Sequence, residues 1–522
     1  MLTETRRVRV AHLAIATLGG VALMVLFSIA SGQDFNYDLI NYHYSSAYLL
    51  LAGQIDRNVA LSGVQSWFNP IAYVPAYLAI TDLPPRIASM LLAGAAGLNA
   101  PLIYLIAARI AGDLPDEERT RIAFACTLIG MTGAITISEA GTSFLDVDLS
   151  IATLGAVLAA ITALDDGERQ ARWLGLSGVL LGLICGLKLT CIVIAIGMTA
   201  TLAIMTLRRR VRPAGDASFA LGGPLGFGLT GGWWAWRSWR VYGNPVFPMA
   251  NDRFRSPLLP SQALNDTRFI PSSWTGLFSY PWHWLTGDAI RGAEIAIRDP
   301  RYAIGLLAAL LCVGFGIRQE ASATRTGEAG RLVALFILVT YVVWIFGFAI
   351  LRYVVVFEML SGVLLLAALR SIPRIAPKTL AIAMMIAAVV IVGWTRSDSW
   401  GRTYASGDWF GVRGASAVHR PGIVYVLPDD SPLGFMVGAF PADARFVHIG
   451  GNLPLDPEHG LGRRAAAMLK GAPIIRSLAA APDNAGGVAA LRRFGLVAEP
   501  GSCARITTKV APIESCLLRR EH

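Results

Sequence analysis

About eleven long apolar runs follow one another up to residue 394, and they constrain the fold more than any other feature of the chain. The runs are Ala11–Ser31, Arg86–Arg109, Ile122–Ser138, Val147–Leu164, Trp173–Leu187, Leu189–Leu207, Phe219–Trp236, Tyr302–Ile317, Leu332–Leu351, Val354–Leu369 and Thr379–Trp394. Most are near the roughly 17 to 25 residues that a helix needs to cross a bilayer. With 54% hydrophobic and 15% charged residues, the chain is also too apolar for a soluble domain of this length. The sequence therefore predicts an all-α polytopic membrane protein.

The bias of Arg and Lys toward alternate connections predicts the orientation of these helices. The first run follows the basic segment "TETRRVRVAH" and lacks an Ala-x-Ala-like cleavage site, which indicates a retained helix with a cytoplasmic N terminus rather than a signal peptide. The later basic connections then fall on the cytoplasmic side; they are "ARIAGDLPDEERTR", "DDGERQAR", "RRRVRP", "RQEASATRTGEAGR" and "RSIPRIAPK". This orientation requires Asn69–Leu83, which contains two prolines, to be an interfacial or re-entrant helix. The predicted location is the bacterial inner (plasma) membrane.

The polar segments on the predicted outer side differ in length. They are a first loop from Gly32 to Pro85, a short loop "SEAGTSFLDVD", a long loop from Arg237 to Arg301 and a tail from Thr395 to His522. In the tail, the β-like runs "GIVYVLP" and "ARFVHIG" alternate with the helix-like runs "GRRAAAMLKG" and "GGVAALRRFG". We therefore expect a transmembrane domain at 1–394 and a small periplasmic α/β domain at 395–522.

Charge and cysteine content exclude several classes of function. The net charge of +10 reflects topology and contact with membrane lipids, because no Lys/Arg array resembles a nucleic-acid-binding surface. No CxxC, HExxH, Walker or GxGxxG motif is present. Only Cys503 and Cys516, which flank "ARITTKVAPIES", lie where a disulfide could form in an oxidising compartment, and the sequence leaves that pairing open. The other cysteines lie in apolar runs and are interpreted as core residues; they are Cys126, Cys185, Cys191 and Cys312.

The first outer loop opens with "QDFNYDLINYHY", which concentrates polar groups directly after the first helix. Asp34 follows the membrane edge by about two residues, where a carboxylate is partly desolvated and accessible from lipid and water. That position suits a general base acting on a lipid-borne substrate. Asp38 follows four residues later, on the same face if this segment is helical. The alternative is that both are ordinary polar residues at a helix start.

Acidic and basic residues recur at the other predicted outer helix ends. The second outer loop contains Glu139, Asp146 and Asp148, "GLKLT" contains Lys188, and "AILRYVVVFE" contains Arg352. Cations at helix ends are commonly snorkelling anchors, and that alternative stays open. Their outer location runs against the positive-inside bias, however, and favours an anionic partner such as a lipid phosphate.

These features together resemble the GT-C superfamily of membrane glycosyltransferases, which includes the protein O-mannosyltransferase and aminoarabinose transferase families. The resemblance rests on the Asp after helix one, the acidic second loop, the "GLKLT" helix pair and the late "RY". It rests also on "YGNPVFPMAN", which is similar to a stretch found in many bacterial members. It covers roughly Val10 to Trp394 and implies a sugar donor linked to polyprenyl phosphate. The family's paired acids are absent here, since "QDFNYD" separates its two aspartates, so the choice between Asp34 and Asp38 stays open.

The resemblance implies roles for individual residues. Asp34 is the expected base, and Asp38, His43 and Glu139 are expected to orient it or the substrate. The expected phosphate ligands are Lys188, Arg352 and Tyr353, with Arg237 and Arg240 in reserve. The residues expected to line the substrate are Tyr37, Asn41, Tyr42, Tyr44, Trp67 and Asp146. Metal dependence is left open, with Mg²⁺ or Mn²⁺ as the candidate cation and no cofactor assigned.

Two other classes of function stay open at this point. A transporter or flippase of lipid-linked glycans predicts internal repeats and charges near the midplane, and no convincing repeat is visible. A non-catalytic subunit of cell-envelope assembly would use the tail to bind a partner. For the transferase, the sequence identifies neither the sugar nor the acceptor, which is a lipid, a glycan or a protein.

Overall fold

Helices account for 62% of the computed structural model of the chain, which describes residues 2–262, 264, 266–287, 291–318, 325–372, 375–404 and 407–521. The helices are α1 (Leu2–Ser31), α2 (Tyr44–Leu51), α3 (Val74–Asp82), α4 (Pro85–Ala96), α5 (Asn99–Ile110), α6 (Asp116–Met131), α7 (Ala134–Ser138), α8 (Asp146–Asp165), α9 (Gln170–Leu187), α10 (Ile192–Leu207), α11 (Pro213–Phe227), α12 (Trp233–Tyr242), α13 (Asn251–Phe254), α14 (Trp274–Ser279), α15 (His283–Thr286), α16 (Arg301–Arg318), α17 (Arg325–Gly347), α18 (Val356–Arg370), α19 (Pro377–Trp394), α20 (Ala415–Val418), α21 (Gly460–Lys470) and α22 (Ala485–Arg493).

Short helical turns and strands complete the secondary structure. The π-helical turns are Leu39–His43 and Gly228–Gly232, and the 3₁₀ turns are Gly63–Trp67, Pro70–Tyr73, Leu189–Cys191, Tyr280–Trp282, Leu351–Val354 and Gly434–Ala439. The strands are β1 (Ile297–Arg298), β2 (Arg396–Ser397), β3 (Val424–Leu427), β4 (Arg445–His448), β5 (Ile475–Ser477), β6 (Leu496–Ala498), β7 (Ala504–Ile506), β8 (Ile513–Ser515) and β9 (Leu518–Arg520).

Within the described residues, seven helical segments are long and apolar enough to cross a bilayer. They are Val10–Ser31, Pro85–Ile110, Asp146–Asp165, Gln170–Leu187, Leu189–Leu207, Arg325–Gly347 and Pro377–Trp394, and they confirm seven of the predicted runs as candidate spans. The membrane-protein class is thereby supported.

The four remaining apolar runs are helical but shorter or interrupted. The run at 122–138 is divided between α6 and α7, and the run at 219–236 contains the π turn between α11 and α12. The run at 354–369 forms α18, which has 15 residues, and the apolar part of α16 extends only over Arg301–Gly314. That these four runs cross the membrane stays a prediction. The Asn69–Leu83 segment forms a 3₁₀ turn and the nine-residue α3, which is too short to span.

The chain divides into two compact units. We call Met1–Ser31, Ser89–Gly232 and Asp266–Trp400 the helical unit, and Gly32–Ala88, Trp233–Asn265 and Gly401–His522 the mixed unit. The first outer loop and part of the third thus belong to the same unit as the tail, a grouping that the sequence analysis did not foresee. The domain boundary predicted at 394/395 stays a prediction.

The helical unit is built around α18, which is buried along nearly its whole length and packs on α5, α6, α16 and α17. A helix that is apolar on every side is expected at such a central position. A second close contact joins α9 to α11 through glycines: a Cβ added at Gly182 would lie 2.0 Å from the carbonyl oxygen of Gly223. Small residues spaced four apart allow backbones to approach in this way.

The mixed unit contains a three-stranded parallel sheet in the order β4-β3-β5, with Val424 opposite both Arg445 and Ile475. All four residues of the central strand β3 are buried, as parallel strands covered on both faces require. The predicted strand and helix runs of the tail are confirmed by β3, β4, α21 and α22. The predicted pair of strands in "ARITTKVAPIES" is the hairpin β7-β8, and Cys503 and Cys516 beside it form a disulfide.

Candidate functional site: buried charges in the helical unit

Four elements bring charged side chains together at one end of the helical unit. Asp146 begins α8, and Lys188 follows the last residue of α9, which packs beside α8. Arg352 lies in the 3₁₀ turn between α17 and α18. Glu139 follows α7. Acidic residues in the first turn of α8 are favoured by the helix dipole, so the local sequence itself favours Asp146 at this end.

Asp146 contacts both cations of this cluster. The ammonium of Lys188 donates hydrogen bonds to Oδ1 at 2.6 Å and to Oδ2 at 2.7 Å of Asp146. The Nη1 atom of Arg352 lies 3.5 Å from Oδ2, and its Nε donates to Glu294 Oε2 at 2.8 Å. The side chains of Lys188 and Arg352 are only 12% and 10% exposed. Charge-assisted hydrogen bonds are strong in such a desolvated setting, so these contacts hold the cations in defined positions.

Aromatic rings support the same two cations. The ring of Tyr353 lies 5.2 Å from the Lys188 ammonium and 5.1 Å from the Arg352 guanidinium, and Phe144 lies 4.8 Å from the latter. These distances are typical of cation–π contacts. Tyr353, expected from the resemblance to bind phosphate, therefore contacts the cations through its ring. The structure brings together Lys188, Arg352, Tyr353 and Asp146 among the residues predicted from the sequence.

Glu139 is the buried acid of this cluster. Its side chain is 3% exposed, and neither carboxyl oxygen has a hydrogen-bond partner within the described part of the chain. Burial raises the pKa of Glu139 well above its ordinary value, nearby Asp146 raises it further, and Lys188 and Arg352 act in the opposite direction. The result is a carboxyl group that keeps its proton to a higher pH than an ordinary glutamate does. We define Glu139, Asp146, Lys188, Arg352 and Glu294 as the open cluster.

A second buried group of charges in the helical unit is fully hydrogen-bonded. Arg301 and Asp299 are both 0% exposed, and Arg301 Nη1 donates to both carboxyl oxygens of Asp299 at 2.9 and 3.0 Å. Arg301 also donates to the carbonyl of Ile129 at 2.7 Å and to the hydroxyls of Thr132 and Thr395 at 2.8 and 2.7 Å. We call this group, together with Glu358, the closed network.

The closed network caps the start of α7. The amide of Ala134 donates to Asp299 at 2.7 Å, and the amides of Ile135 and Thr136 each donate to Glu358 at 2.9 Å. These amides belong to the first turn, where a helix has no internal acceptors. A Cβ added at Gly133 would lie 2.0 Å from the Glu358 carboxylate, so glycine is required beside the cap. The cap fixes α7, and the Glu139 amide donates to the Ile135 carbonyl at 3.0 Å at the other end of this short helix.

Sequence reasoning missed the positioning role of Asp299, Arg301 and Glu358. A signal was available for part of it: "RDPR" places an acid between two arginines immediately before an apolar run. Many of their partners lie more than a hundred residues away along the chain, such as Ile129 for Arg301 and Ile135 for Glu358, and no local pattern reveals these contacts. Glu294, which binds Arg352, was also missed.

In the mixed unit, Asp34 is held by Asn36. The Asn36 side-chain amide donates to both Asp34 oxygens at 2.8 and 2.7 Å, and the Asn36 backbone amide donates to Oδ1 at 2.9 Å. Asp34 is 1% exposed, and its carbonyl accepts a hydrogen bond from the indole of Trp409 at 3.1 Å. Through these hydrogen bonds, Asp34 fixes the conformation of the loop after α1. Its predicted role as a base stays a prediction.

The other predicted residues of the first outer loop form an aromatic group. His43 stacks on Tyr73 with ring centroids 4.2 Å apart, and Tyr42 packs edge-on against both rings. Asp38, Asn41, Tyr42 and His43 are buried, while Tyr37 is exposed. Tyr44 packs on Tyr77 and Phe410, and burial raises the pKa of its hydroxyl. The remaining predicted cations of this unit also contact aromatic rings: Arg237 pairs with Asp56 and lies over Trp234, and Arg240 lies over Trp236.

A cavity of about 180 Å³ lies within the mixed unit. Its wall includes the aromatic residues Trp67, Trp234 and Tyr242 and four serines, Ser45, Ser46, Ser62 and Ser66. The indole of Trp234 donates to the carbonyl of Trp67 at 2.8 Å, which fixes one corner of the wall. Flat apolar faces combined with hydroxyl groups suit a small polyhydroxylated ligand.

In the part of the chain that the structure describes, the one cluster of three potential metal ligands is Cys503, Glu514 and Cys516, and its two thiols are joined as a disulfide. That cluster therefore lacks thiolates for a metal, and the dependence on Mg²⁺ or Mn²⁺ stays untested. No protein-family model matches the sequence, and no curated protein matches it.

Proposed function

We propose that this protein is a membrane glycosyltransferase that takes a sugar from a polyprenyl-phosphate donor. The proposal is supported mainly by one observation: Lys188 and Arg352, desolvated and held over the Tyr353 ring, share the carboxylate of Asp146 beside the buried carboxyl of Glu139. A cationic pair and a proton acceptor are the two elements that this transfer requires. The chain's resemblance to the GT-C superfamily supports the same function.

The cations of the open cluster would bind the phosphate of the donor. In the transfer, the bond between the anomeric carbon and the phosphate oxygen breaks, and negative charge accumulates on the departing phosphate. Arg352 and Lys188 can stabilise that charge, Arg352 through the paired N–H groups that match phosphate oxygens. Asp146 and Glu294 hold these cations in place before the donor binds, and the phosphate would then share the cations with the two carboxylates.

Glu139 would accept the proton of the acceptor hydroxyl. A base works best when its pKa lies near the working pH, and burial moves Glu139 in that direction. Asp34, the base expected from the resemblance, already accepts three hydrogen bonds from Asn36. Since those bonds already occupy both carboxylate oxygens, Asp34 is the weaker candidate. Asp38 stays a second candidate from the sequence.

The remaining features support sugar handling on the outer side of a membrane. The serine and aromatic lining of the mixed-unit cavity suits one sugar residue. We retain from the sequence the eleven-span topology, the cytoplasmic N terminus and the periplasmic tail as parts of the proposal. The acceptor, whether lipid, glycan or protein, and the identity of the sugar stay open.

Purified full-length protein with a short-chain polyprenyl-phosphate sugar tests the proposal. The measurements are donor binding, release of polyprenyl phosphate, and sugar transfer to added cell-envelope lipids and glycans. We expect binding and turnover, both lost on Lys188→Ala and kept on Arg109→Ala, which removes a cation that pairs with Asp165 in an exposed position. Binding without turnover would favour the transporter or the non-catalytic subunit, and absence of binding would contradict both the transferase and the transporter.

A further inference from the structure

A cavity lined largely by arginines lies at the end of α10. It has a volume of about 440 Å³, and its wall consists of Leu207, Arg208, Arg209, Arg210, Glu328 and Arg331. The first four residues of this wall follow one another along the chain, and the last two lie in the first turns of α17. The wall is separate in sequence from the open cluster and takes no part in the proposed transfer.

The positive charge of this cavity exceeds its negative charge. Arg331 Nη1 donates to Glu328 Oε1 at 2.6 Å, and Arg210 Nη2 lies 3.4 Å from the same oxygen. Three arginines of the wall, Arg209, Arg210 and Arg331, thus accompany its single carboxylate, that of Glu328. Like charges held together in a concave surface repel unless an anion joins them, so the wall is suited to bind one.

The backbone after α10 holds an arginine in a conformation that usually belongs to glycine. Arg209 has φ +57°, and the amides of Arg209 and Arg210 close the helix by donating to the carbonyls of Thr206 and Met205 at 2.8 and 2.9 Å. Glycine is the common residue at this left-handed position because it has no Cβ. An arginine therefore occupies this position although its left-handed backbone conformation favours glycine.

The backbone of the arginine segment, residues 208–212, is held in place by the side chain of Gln170. The Gln170 side-chain amide donates to the Arg210 carbonyl at 3.3 Å and accepts from the Arg212 amide at 2.8 Å. Val211, between them, is buried. The segment thus has a fixed path, and its guanidinium groups start from defined backbone positions.

We propose that this cavity binds the phosphate of an anionic lipid headgroup. The cavity follows directly after Leu189–Leu207, a segment long and apolar enough to span the bilayer, so its arginines belong at the level of lipid headgroups. Guanidinium groups bind phosphate oxygens in pairs, which makes arginine well suited to this partner. The inference does not depend on the proposed sugar transfer.

Arg209→Gly tests the proposal without endangering the fold, because glycine relieves the left-handed backbone while removing one cation. Full-length protein would be delipidated in a neutral detergent and titrated with phosphatidylglycerol or phosphatidylcholine, with retained lipid counted by native mass spectrometry. We expect a preference for phosphatidylglycerol that falls about fivefold in Arg209→Gly, as expected for one basic group near the membrane surface. Arg172→Ala, which removes an exposed cation near the start of α9, is the matched control and should change this preference less than twofold.

Two results would overturn the proposal. One is an unchanged preference for phosphatidylglycerol in both Arg209→Gly and the double variant Arg209→Gly/Arg210→Ala. The other is inorganic phosphate or glycerol phosphate binding to the wild-type protein as tightly as the lipid, since the natural ligand would then be a free anion. Weak binding of the free anions, with loss of lipid binding in the variants, supports the headgroup.

Discussion

The open cluster and the closed network are both groups of buried charges in the helical unit, yet they differ in how completely their polar atoms are bonded. In the closed network, Arg301 donates to Asp299, to a backbone carbonyl and to two threonine hydroxyls, and Glu358 accepts from two amides and two hydroxyls. In the open cluster, the Glu139 carboxyl has no hydrogen-bond partner among the described residues. Burying a polar group without a partner destabilises a fold, so a chain retains such a group where function requires it.

Buried ions therefore serve two different roles in the helical unit. In the closed network, the carboxylates accept hydrogen bonds from the backbone of α7 and from Arg301. The charged groups of this network are therefore already bonded within the protein and are not available to a ligand. The open cluster contains two cations and three carboxyl groups in a desolvated setting where contacts with a ligand would be strong. The two groups are linked through α7, which the closed network caps and which Glu139 follows.

The largest expected effect is on the closed network. Arg301→Met should lower the free energy of unfolding by about 3 to 5 kcal/mol, because Asp299 would then be a buried, uncompensated charge. Thermal unfolding in detergent measures this change. The matched variant Lys188→Met in the open cluster should destabilise clearly less, because Lys188 is partly exposed and Asp146 keeps Arg352 nearby. Equal destabilisation by both variants would remove the distinction between the two groups.

The next effect concerns donor binding. Arg352→Ala should weaken binding of a polyprenyl-phosphate sugar by roughly 2 to 4 kcal/mol, as expected when a desolvated charge-assisted contact is lost. Arg352→Lys should recover only part of it, because the paired N–H groups are absent. Equilibrium binding of a fluorescent donor analogue checks both values. If donor affinity is unchanged in both variants, Arg352 is a snorkelling anchor and does not bind the donor.

A smaller effect is expected at Asp34. Asp34→Asn places an amide against the Asn36 amide and should lower the free energy of unfolding by about 1 to 3 kcal/mol through a lost hydrogen bond. Turnover should fall less than tenfold if Asp34 shapes the loop. A fall of more than a hundredfold with unchanged stability would instead make Asp34 the base, as the sequence alone suggests.

The smallest effect is a dependence of stability on pH. The folded protein keeps Glu139 protonated at pH values where the unfolded chain has already ionised it, because burial raises its pKa. The folded state therefore binds the additional proton, and the free energy of unfolding falls as pH rises above about 4.3, the ordinary pKa of glutamate, toward the raised value. Glu139→Gln should flatten the thermal-stability profile over this range, while Glu117→Gln, which alters an exposed acid, should leave it unchanged.

The sequence predicted the elements that depend on local pattern. Seven apolar runs are helices long enough to span, and the hairpin β7-β8 lies where two β-like runs were expected between cysteines whose pairing the sequence left open. The rest depends on contacts between distant segments. That Asn36 binds both Asp34 oxygens and that Glu358 caps α7 cannot be read from spacing, because each requires the path of the backbone in three dimensions. That Glu139 has no hydrogen-bond partner among the described residues is likewise a property of the packed structure.

Turnover of Glu139→Gln with a polyprenyl-phosphate sugar tests the central claim most directly. The substitution keeps the size of the side chain and removes its ability to take a proton. We predict that the rate of sugar transfer falls at least a hundredfold, while donor affinity stays within about threefold of wild type, because the group acts on the acceptor proton and not on the phosphate. A Glu139→Gln protein that transfers sugar at the wild-type rate would contradict the claim that the incompletely bonded cluster is the catalytic one.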